Sequence, residues 1–570
     1  MPFNAFVDTT LQETMGHLRL FLPELVLCGT ILLLLSLRVI SWTRKVPPSL
    51  VAIVGVVAAL WFAIPEGALR MTGDLPHGET FGGLLVFDRM AIFFRCLFLV
   101  FVTLFCILTR ITRMPHAEDL PDFYTLVLGA TIGFCLMASA NHLLTVFVAV
   151  EMASIPSYVL AGFLKDRSKS TEAALKYSVY GAGAAGIMLY GISLLSGVLG
   201  TAHLPTMASQ LVTVPFSPQT LMVLALGGLM LMVGLAFKLS GVPFHFWCPD
   251  VFEGAPAEID AFLSVASKAA ALALLVRVAV GLGYTTDTPA DPPAARTAAV
   301  ATQPVPVVTA GFPVREVADP HQTPGAASEV PTGTNEVRLR PESVRRYIVM
   351  LLTLLAAVTC TFGNLAAYGQ TNIKRMLAYS TIAHAGYMIM PVPAALVLAD
   401  LHPELARGAI AALAFYTSVY LFMNLSAFAI VAFLRDAAET EEIADYAGLI
   451  RTAPVIIVCL AAVMISLIGI PPFAGFISKF FVFASLIEAG GPIMIALVVI
   501  GGLNSVLSLI YYLRVIKVMT VDPEPDSRGP VVLGFMPTTY AVVVTLPVLI
   551  FGVFFNGLYR WAEIATSQLF

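Results

Sequence analysis

The chain has 570 residues, 58% of them hydrophobic and only 12% charged, with a formal net charge of −4. A mean hydropathy of +0.87 excludes an ordinary soluble domain, and no basic patch invites nucleic acid. Cys28, Cys96, Cys106, Cys135, Cys248, Cys360 and Cys459 stand singly, with no CxxC or Cys/His cluster, so the sequence encodes neither an iron–sulfur centre nor a zinc site. It also lacks a Walker-type phosphate loop, a GxGxxG after a strand and a haem ligand pair. Energy for any work must come from a partner or an ion gradient.

Apolar runs of about 20 residues, enough to cross ~30 Å of hydrocarbon as helix, predict about fourteen spans. They fall near 20–40, 49–65, 89–109, 122–140, 142–164, 173–199, 219–247, 256–283, 346–368, 372–397, 406–434, 453–488, 491–516 and 538–560. The expected class is an all-α polytopic membrane protein. The first run is too long for the core of a cleavable signal and has no cleavage site, so it reads as a span. Two of these runs, 219–247 and 453–488, exceed one bilayer thickness and carry internal Gly and Pro; they read as broken helices.

Basic residues orient the chain. Arg38, Arg44 and Lys45 follow the first span, Arg110 and Arg113 the third, Lys165, Arg167 and Lys169 the fifth, and Lys374 and Arg375 the ninth. Arg435 and Arg451 follow the eleventh, and Arg514, Lys517 and Arg528 flank the last such loop. The opposite set of short loops is poor in Lys and Arg, and 200–218 has none. The positive-inside rule then puts these loops in the cytoplasm and both termini on the outer side. Between Tyr284 and Arg345 the chain is rich in Pro, Ala, Thr and Val and has no lysine, so 284–345 is expected to be a low-complexity, disordered outer loop.

Internal repetition follows. Leu239-Ser-Gly-Val-Pro243 resembles Leu467-Ile-Gly-Ile-Pro471, and Glu151–Tyr158 lies over Ser380–Tyr387 at nearly the same displacement. Spans 4–8 and 9–13 would satisfy both matches as two five-helix units, inverted because each has an odd number of spans. Inverted units with broken helices put a site near the bilayer midplane. The expected division is 1–121, a three-helix segment; 122–283, the first repeat; 284–345, the loop; 346–517, the second repeat; and 518–570, a loop and last span.

Ionisable residues inside these runs are the site candidates, because a charge at a helix centre costs roughly 2.5–3.5 kcal/mol on the insertion scale. Lys238 stands just before the first break, with Met222 to Ala236 upstream free of charge. Pro243 removes the donor for the Leu239 carbonyl; Pro471 and Pro472 do the same for Leu467 and Ile468. Each break is either a plain kink or part of a site, and a lysine beside each, Lys238 and Lys479, favours the site. Glu151 is either a structural ion-pair partner of Lys238 or a carboxylate that modulates it. Burial disfavours a charged lysine and a nearby carboxylate favours it, so moving the carboxylate would make a lysine release or hold a proton. Lys268 is a further buried lysine. His245 and His384 are relay candidates or satisfied core histidines. Lys176 is expected to snorkel to the surface. Asp250, Glu253, Glu258 and Asp260 are expected to be solvated or ion-paired loop residues, and Arg95 and Arg277 structural.

Several stretches together resemble a known family. They are Glu151-Met-Ala-Ser-Ile-Pro-Ser-Tyr-Val-Leu160, Phe237-Lys-Leu-Ser-Gly-Val-Pro-Phe-His-Phe-Trp-Cys-Pro-Asp-Val-Phe-Glu-Gly-Ala-Pro256 and Ser264-Val-Ala-Ser-Lys-Ala-Ala270. Asn372–Tyr387 and Gly469–Lys479 complete the set. In order over about 120–520, they resemble the antiporter-like subunits of respiratory complex I. Lys479 stands where one sister type carries glutamate, and only one span fits after Lys517, which narrows the type; 284–345 replaces a usually short connection. The resemblance implies a half-channel in each unit, with Glu151 modulating Lys238, Lys268 bridging toward the second unit and Lys479 as exit-side proton carrier. It implies that NADH, FMN, iron–sulfur clusters and quinone belong to partner subunits and that this chain holds no cofactor. The implied partners are other membrane subunits, sister antiporter-like ones included, within a bacterial inner membrane. A subunit of a multisubunit cation/proton antiporter is the alternative.

Overall fold

The computed structural model describes residues 14–39, 46–64, 77–213, 215–284, 337–525, 531 and 533–570. Almost all of it is helix. In chain order the helices are α1 (Leu22–Val39), α2 (Pro48–Ala63), α3 (Arg89–Thr112), α4 (Leu120–Ser139), α5 (Leu143–Ala161) and α6 (Ser168–Leu199). There follow α7 (Leu204–Thr213), α8 (Pro218–Leu239), α9 (Trp247–Gly254), α10 (Ala257–Gly283), α11 (Pro341–Ala367), α12 (Ile373–Leu398) and α13 (Pro403–Ala438). The last are α14 (Pro454–Ile468), α15 (Ala474–Ala489), α16 (Gly491–Thr520), α17 (Phe535–Val553) and α18 (Asn556–Thr566).

Eleven helices among the described residues are long and apolar enough to cross a membrane, or twelve if Thr14–Leu20 and Leu22–Arg38, bent by 76°, are one span. The count of fourteen is not reached. Each expected span has helix on it, but α2 has only 16 residues, and 453–488 divides into helices of 15 and 16. The 284–345 loop lies largely outside the described residues, as do Arg44, Lys45 and Arg528. Its end is not loop at all: Val337–Arg338 pairs antiparallel with Pro215–Phe216, and α11 starts at Pro341.

The two halves are built on the same local plan. The α4–α5 turn is tied to the end of α6 by Leu143 N–H to Ala202 O (2.8 Å) and Leu204 N–H to Asn141 O (3.0 Å). The α11–α12 turn is tied to the end of α13 by Ile373 N–H to Glu441 O (2.9 Å) and Ile443 N–H to Thr371 O (2.8 Å). Glycine sets the closeness of each hairpin. A Cβ on Gly133 would lie 2.6 Å from Ala153 N, and one on Gly363 would lie 2.5 Å from Ala383 N. Neither helix pair could close with a side chain there. The corresponding positions run one residue further than the sequence match, so Ser154 on α5 stands where His384 stands on α12.

The helices α10, α12 and α13 form the centre; most of each is buried. Exposed apolar side chains, Leu503, Val506 and Ile510 on α16 and Phe535 on α17, lie on the surface of the bundle.

Candidate functional site

The first break begins where Ser240 adopts a left-handed backbone (φ 57°) and stops α8. The Trp247 indole N–H donates to Phe237 O at 3.1 Å and its ring stacks on Tyr177 at 4.2 Å, which pins the link. Lys238, one residue before the end of α8, is buried and donates to Ser154 Oγ at 3.1 Å. Ser154 donates onward to Val150 O at 2.6 Å. Glu151 lies three residues earlier on α5, on the same face, half-buried and within electrostatic reach of Lys238. A direct ion pair is therefore not the arrangement found; the Ser154 hydroxyl takes the lysine's hydrogen bond. Sequence reasoning missed Ser154, although it lies inside the Glu151–Leu160 stretch at helical spacing from the carboxylate.

His245 lies in the link after α8, so no helix face relates it to Lys238. Its ring packs on Phe246 and Phe362, each at 4.3 Å, and its Nδ1 has no hydrogen-bond partner among the described residues. Lys268 is 1% exposed and its Nζ likewise has none. It follows a π-helical stretch, Leu263–Ser267, inside α10; such bulges are frequent at functional sites.

His384 is held by hydroxyls of the second half. Its Nδ1 shares a 2.8 Å hydrogen bond with the Tyr416 hydroxyl and its Nε2 a 3.4 Å one with Tyr512, which bonds Ser380. Lys268 and Lys479 are both within its electrostatic reach. Lys479, on α15, donates to Leu467 O at 3.1 Å and Ile468 O at 2.9 Å, and its Nζ sits 4.4 Å from the centre of the Tyr387 ring. These are the carbonyls that Pro471 and Pro472 leave without helical donors. The tyrosines Tyr387, Tyr416 and Tyr512 are part of this constellation and were not legible as such, since tyrosine is common in membrane helices.

The charges at the end where α6 and α12 begin are paired. Lys176 bonds Glu172 and Asp250, each at 2.8 Å, rather than snorkelling free. Arg375 bonds Asp250 at 2.8 Å and Glu253 at 2.7 Å, and Lys169 bonds Glu253 at 3.0 Å. Burial works to raise both carboxyls, but the hydrogen bonds from these cations outweigh it and hold Asp250 and Glu253 below their usual range. Glu258 is ion-paired with Arg435 at 3.1 Å, but on a buried helix and not in a loop. Asp260 departs further from expectation: it is 0% exposed, on α10, and neither carboxylate oxygen has a hydrogen-bond partner among the described residues. Arg95 and Arg277 are structural, the first against Glu24 at 2.7 Å and the second forked onto Asp88 at 2.5 Å.

A bundle of apolar spans, broken helices and buried lysines defines an antiporter-like membrane subunit. The family model described as NADH:quinone oxidoreductase/Mrp antiporter, TM, matches residues 140–288 and 338–508, and the chain belongs to that family. Within it the relatives are subunit N of NADH-quinone oxidoreductase. Subunit N 2 of Sorangium cellulosum is 34% identical over 98% of this chain and 99% of its own length. Subunit N of an Anaeromyxobacter species is 34% identical over 100% of this chain and 99% of its own. A chain of respiratory complex I from Thermus thermophilus matches with a TM-score of 0.67 and 27% identity, covering 94% of this chain and 98% of its own. A chain of the Mrp complex from a Dietzia species shares the fold (TM-score 0.74, 16% identity, 96% of this chain and 97% of its own).

Proposed function

We propose that this chain translocates protons within a NADH-quinone oxidoreductase, driven by quinone reduction in other subunits. The observation that carries the reading is Lys268, a buried lysine with no acceptor among the described residues, on a helix packed against both the Lys238 half and the Lys479 half. A permanent charge left so would be costly; a group that takes and gives up a proton, with water at hand, is not. In this reading Glu151 biases Lys238 through the α5 face that Ser154 shares. Lys268 passes the proton across, His384 with its tyrosines relays it, and Lys479 releases it. His245 feeds Lys238 from the link.

NADH, FMN, iron–sulfur clusters and quinone are then held by partner subunits, and sister antiporter-like subunits flank this one. The membrane is a bacterial inner membrane with both termini outside, as the Lys and Arg distribution favours. The two inverted units are the half-channels, 122–283 and 346–517.

The test uses the assembled complex in inside-out membrane vesicles. Lys268→Ala is expected to leave the complex assembled and to lower proton transfer coupled to quinone reduction by about 100-fold, the low end for loss of a proton-transferring side chain. Wild-type pumping per quinone reduced in that variant would overturn the reading. Copurification without any quinone reductase would point instead to a stand-alone cation/proton antiporter.

A further inference from the structure

Asp260 is a buried titratable group that the path above does not use, and neither of its oxygens has a hydrogen-bond partner among the described residues. We propose that Asp260 is a proton-donating residue of this chain, one that loads Lys268 through Ser264 from the end of the bundle where α10 and α12 begin. The inference rests on the proton-translocating reading and adds to it an entry route with its own carboxylate.

The geometry begins with α10. Asp260, Ser264 and Lys268 follow one another at intervals of four, all three at most 1% exposed, on a buried helix whose other charged residues, Glu258 and Arg277, are taken up in ion pairs with Arg435 and Asp88. In a straight α-helix each such step drifts about 40° around the axis, since a residue turns through ~100°. The π-helical stretch at Leu263–Ser267 makes i→i+5 bonds and turns less per residue. That offsets part of the drift and brings the three positions nearer to one face than a straight α-helix would. Cys248 on α9 lies within electrostatic reach of both Asp260 and Lys268.

Both ends of this column are incomplete in the same way. Neither oxygen of Asp260 and no proton of Lys268 Nζ has a partner among the described residues. A carboxylate fixed in its charged form would leave two buried acceptors unpaired, at about 1–3 kcal/mol or more each. A carboxyl that exchanges its proton with water on one side and a hydroxyl on the other avoids that cost. Ser264 suits the middle position: its O–H donates to Ala261 O at 3.1 Å, and its oxygen lone pairs remain to accept.

At the end of the bundle where α10 begins, Asp260 lies near an ion cluster. Lys374 bonds Ala255 O at 2.7 Å and Glu441 at 3.0 Å, and Arg435 bonds Glu258 and Asp436. Lys374, Glu441, Glu258 and Arg435 are charged groups within electrostatic reach of Asp260. Glu441 and Arg435 keep 19% and 11% of their side chains exposed, which gives water a way in.

The step balances without any co-reactant. The Asp260 carboxyl O–H breaks as its proton passes to the Ser264 oxygen, directly or across water. The Ser264 hydroxyl gives up its own proton, and the Lys268 amine gains an N–H and becomes ammonium. Asp260, now a carboxylate, takes a proton from water at the ion cluster.

Asp260→Asn, Asp260→Glu and Lys268→Ala are compared in the assembled complex in inside-out vesicles, with pumping and quinone reduction measured together. Asp260→Asn is expected to lower pumping about 100-fold with assembly intact, and Asp260→Glu to restore most of it. An infrared carbonyl band of a buried carboxylic acid, shifted by deuterium, should be present in the wild type and missing in Asp260→Asn. A structural role would let asparagine, a near-isostere, pump normally. Normal pumping by Asp260→Asn beside a dead Lys268→Ala overturns this inference and leaves the larger reading standing. Normal pumping by both overturns the larger reading.

Discussion

Lys479 closes the helix that Ile468 ends. Its ammonium reaches back across the break and donates to the Ile468 carbonyl at 2.9 Å and to that of Leu467 at 3.1 Å. The lysine is thus both a proton carrier in the proposed path and a structural cap. The two roles are compatible because a neutral amine keeps two N–H donors, enough for two carbonyls.

The roles separate by substitution. Lys479→Ala leaves two buried acceptors unpaired and is expected to cost about 1–3 kcal/mol for each, seen as a lower thermal inactivation midpoint of the complex. Lys479→Gln supplies amide donors without a titratable proton. It should recover much of the stability and none of the pumping. A glutamine variant that pumps like wild type would remove Lys479 from the path.

Ser154 is predicted to position Lys238. Ser154→Ala removes a buried hydrogen bond worth about 1 kcal/mol, leaving the ammonium free to approach Glu151. Pumping should slow by less than for Lys238→Ala, and its pH profile should shift. Ser154→Thr, which keeps the hydroxyl, should restore the profile. An unshifted profile in Ser154→Ala would make the serine packing alone.

These cases show which parts of the site one sequence exposes. Lys238, Lys268 and Lys479 stand out because a lysine in an apolar run is chemically expensive wherever the helix goes. Ser154, Tyr416 and Tyr512 do not, because hydroxyls bond their own helix carbonyls cheaply and nothing in composition marks those that turn inward. Asp260 is hidden by its neighbours: beside Glu253 and Glu258 it reads as part of a charged loop, whereas α10 has already begun at Ala257. The break at Gly469 was legible down to the orphaned carbonyls of Leu467 and Ile468, since the lost donor follows from proline itself. What fills them depends on tertiary contact. The repeat was visible in short matches, but its register was set by Gly133 and Gly363, whose significance lies in how closely two helices approach.

The cluster of Asp250, Glu253, Lys169, Lys176 and Arg375 predicts an acid limit. Both carboxyls are held below ordinary values of 3.8 and 4.5, with burial opposed by the cations' hydrogen bonds. A depressed folded pKa stabilises above the unfolded value, and that stability is lost as pH falls through the folded one. Protection of 247–254 against hydrogen exchange should hold at pH 6 and at ~5 and fall only below about 4. Arg375→Gln removes a partner of both carboxyls, so the loss should begin at higher pH. An unchanged onset in that variant would show that the cations do not set it.

Arg277 offers the contrast of a buried charge with no part in proton transfer. It forks onto Asp88 with two 2.5 Å bonds and donates from Nε to Ala138 O at 2.9 Å, while Asp88 caps α3 by accepting from Ala91 N–H. Arg277→Met strands the Asp88 carboxylate and should destabilise by about 3–5 kcal/mol. Adding Asp88→Asn removes that stranded charge while keeping a capping side chain, so the double variant should be more stable than Arg277→Met alone. Whatever complex assembles should pump the wild-type number of protons per quinone. A fall in that ratio, with assembly corrected for, would place Arg277 in the proton path after all.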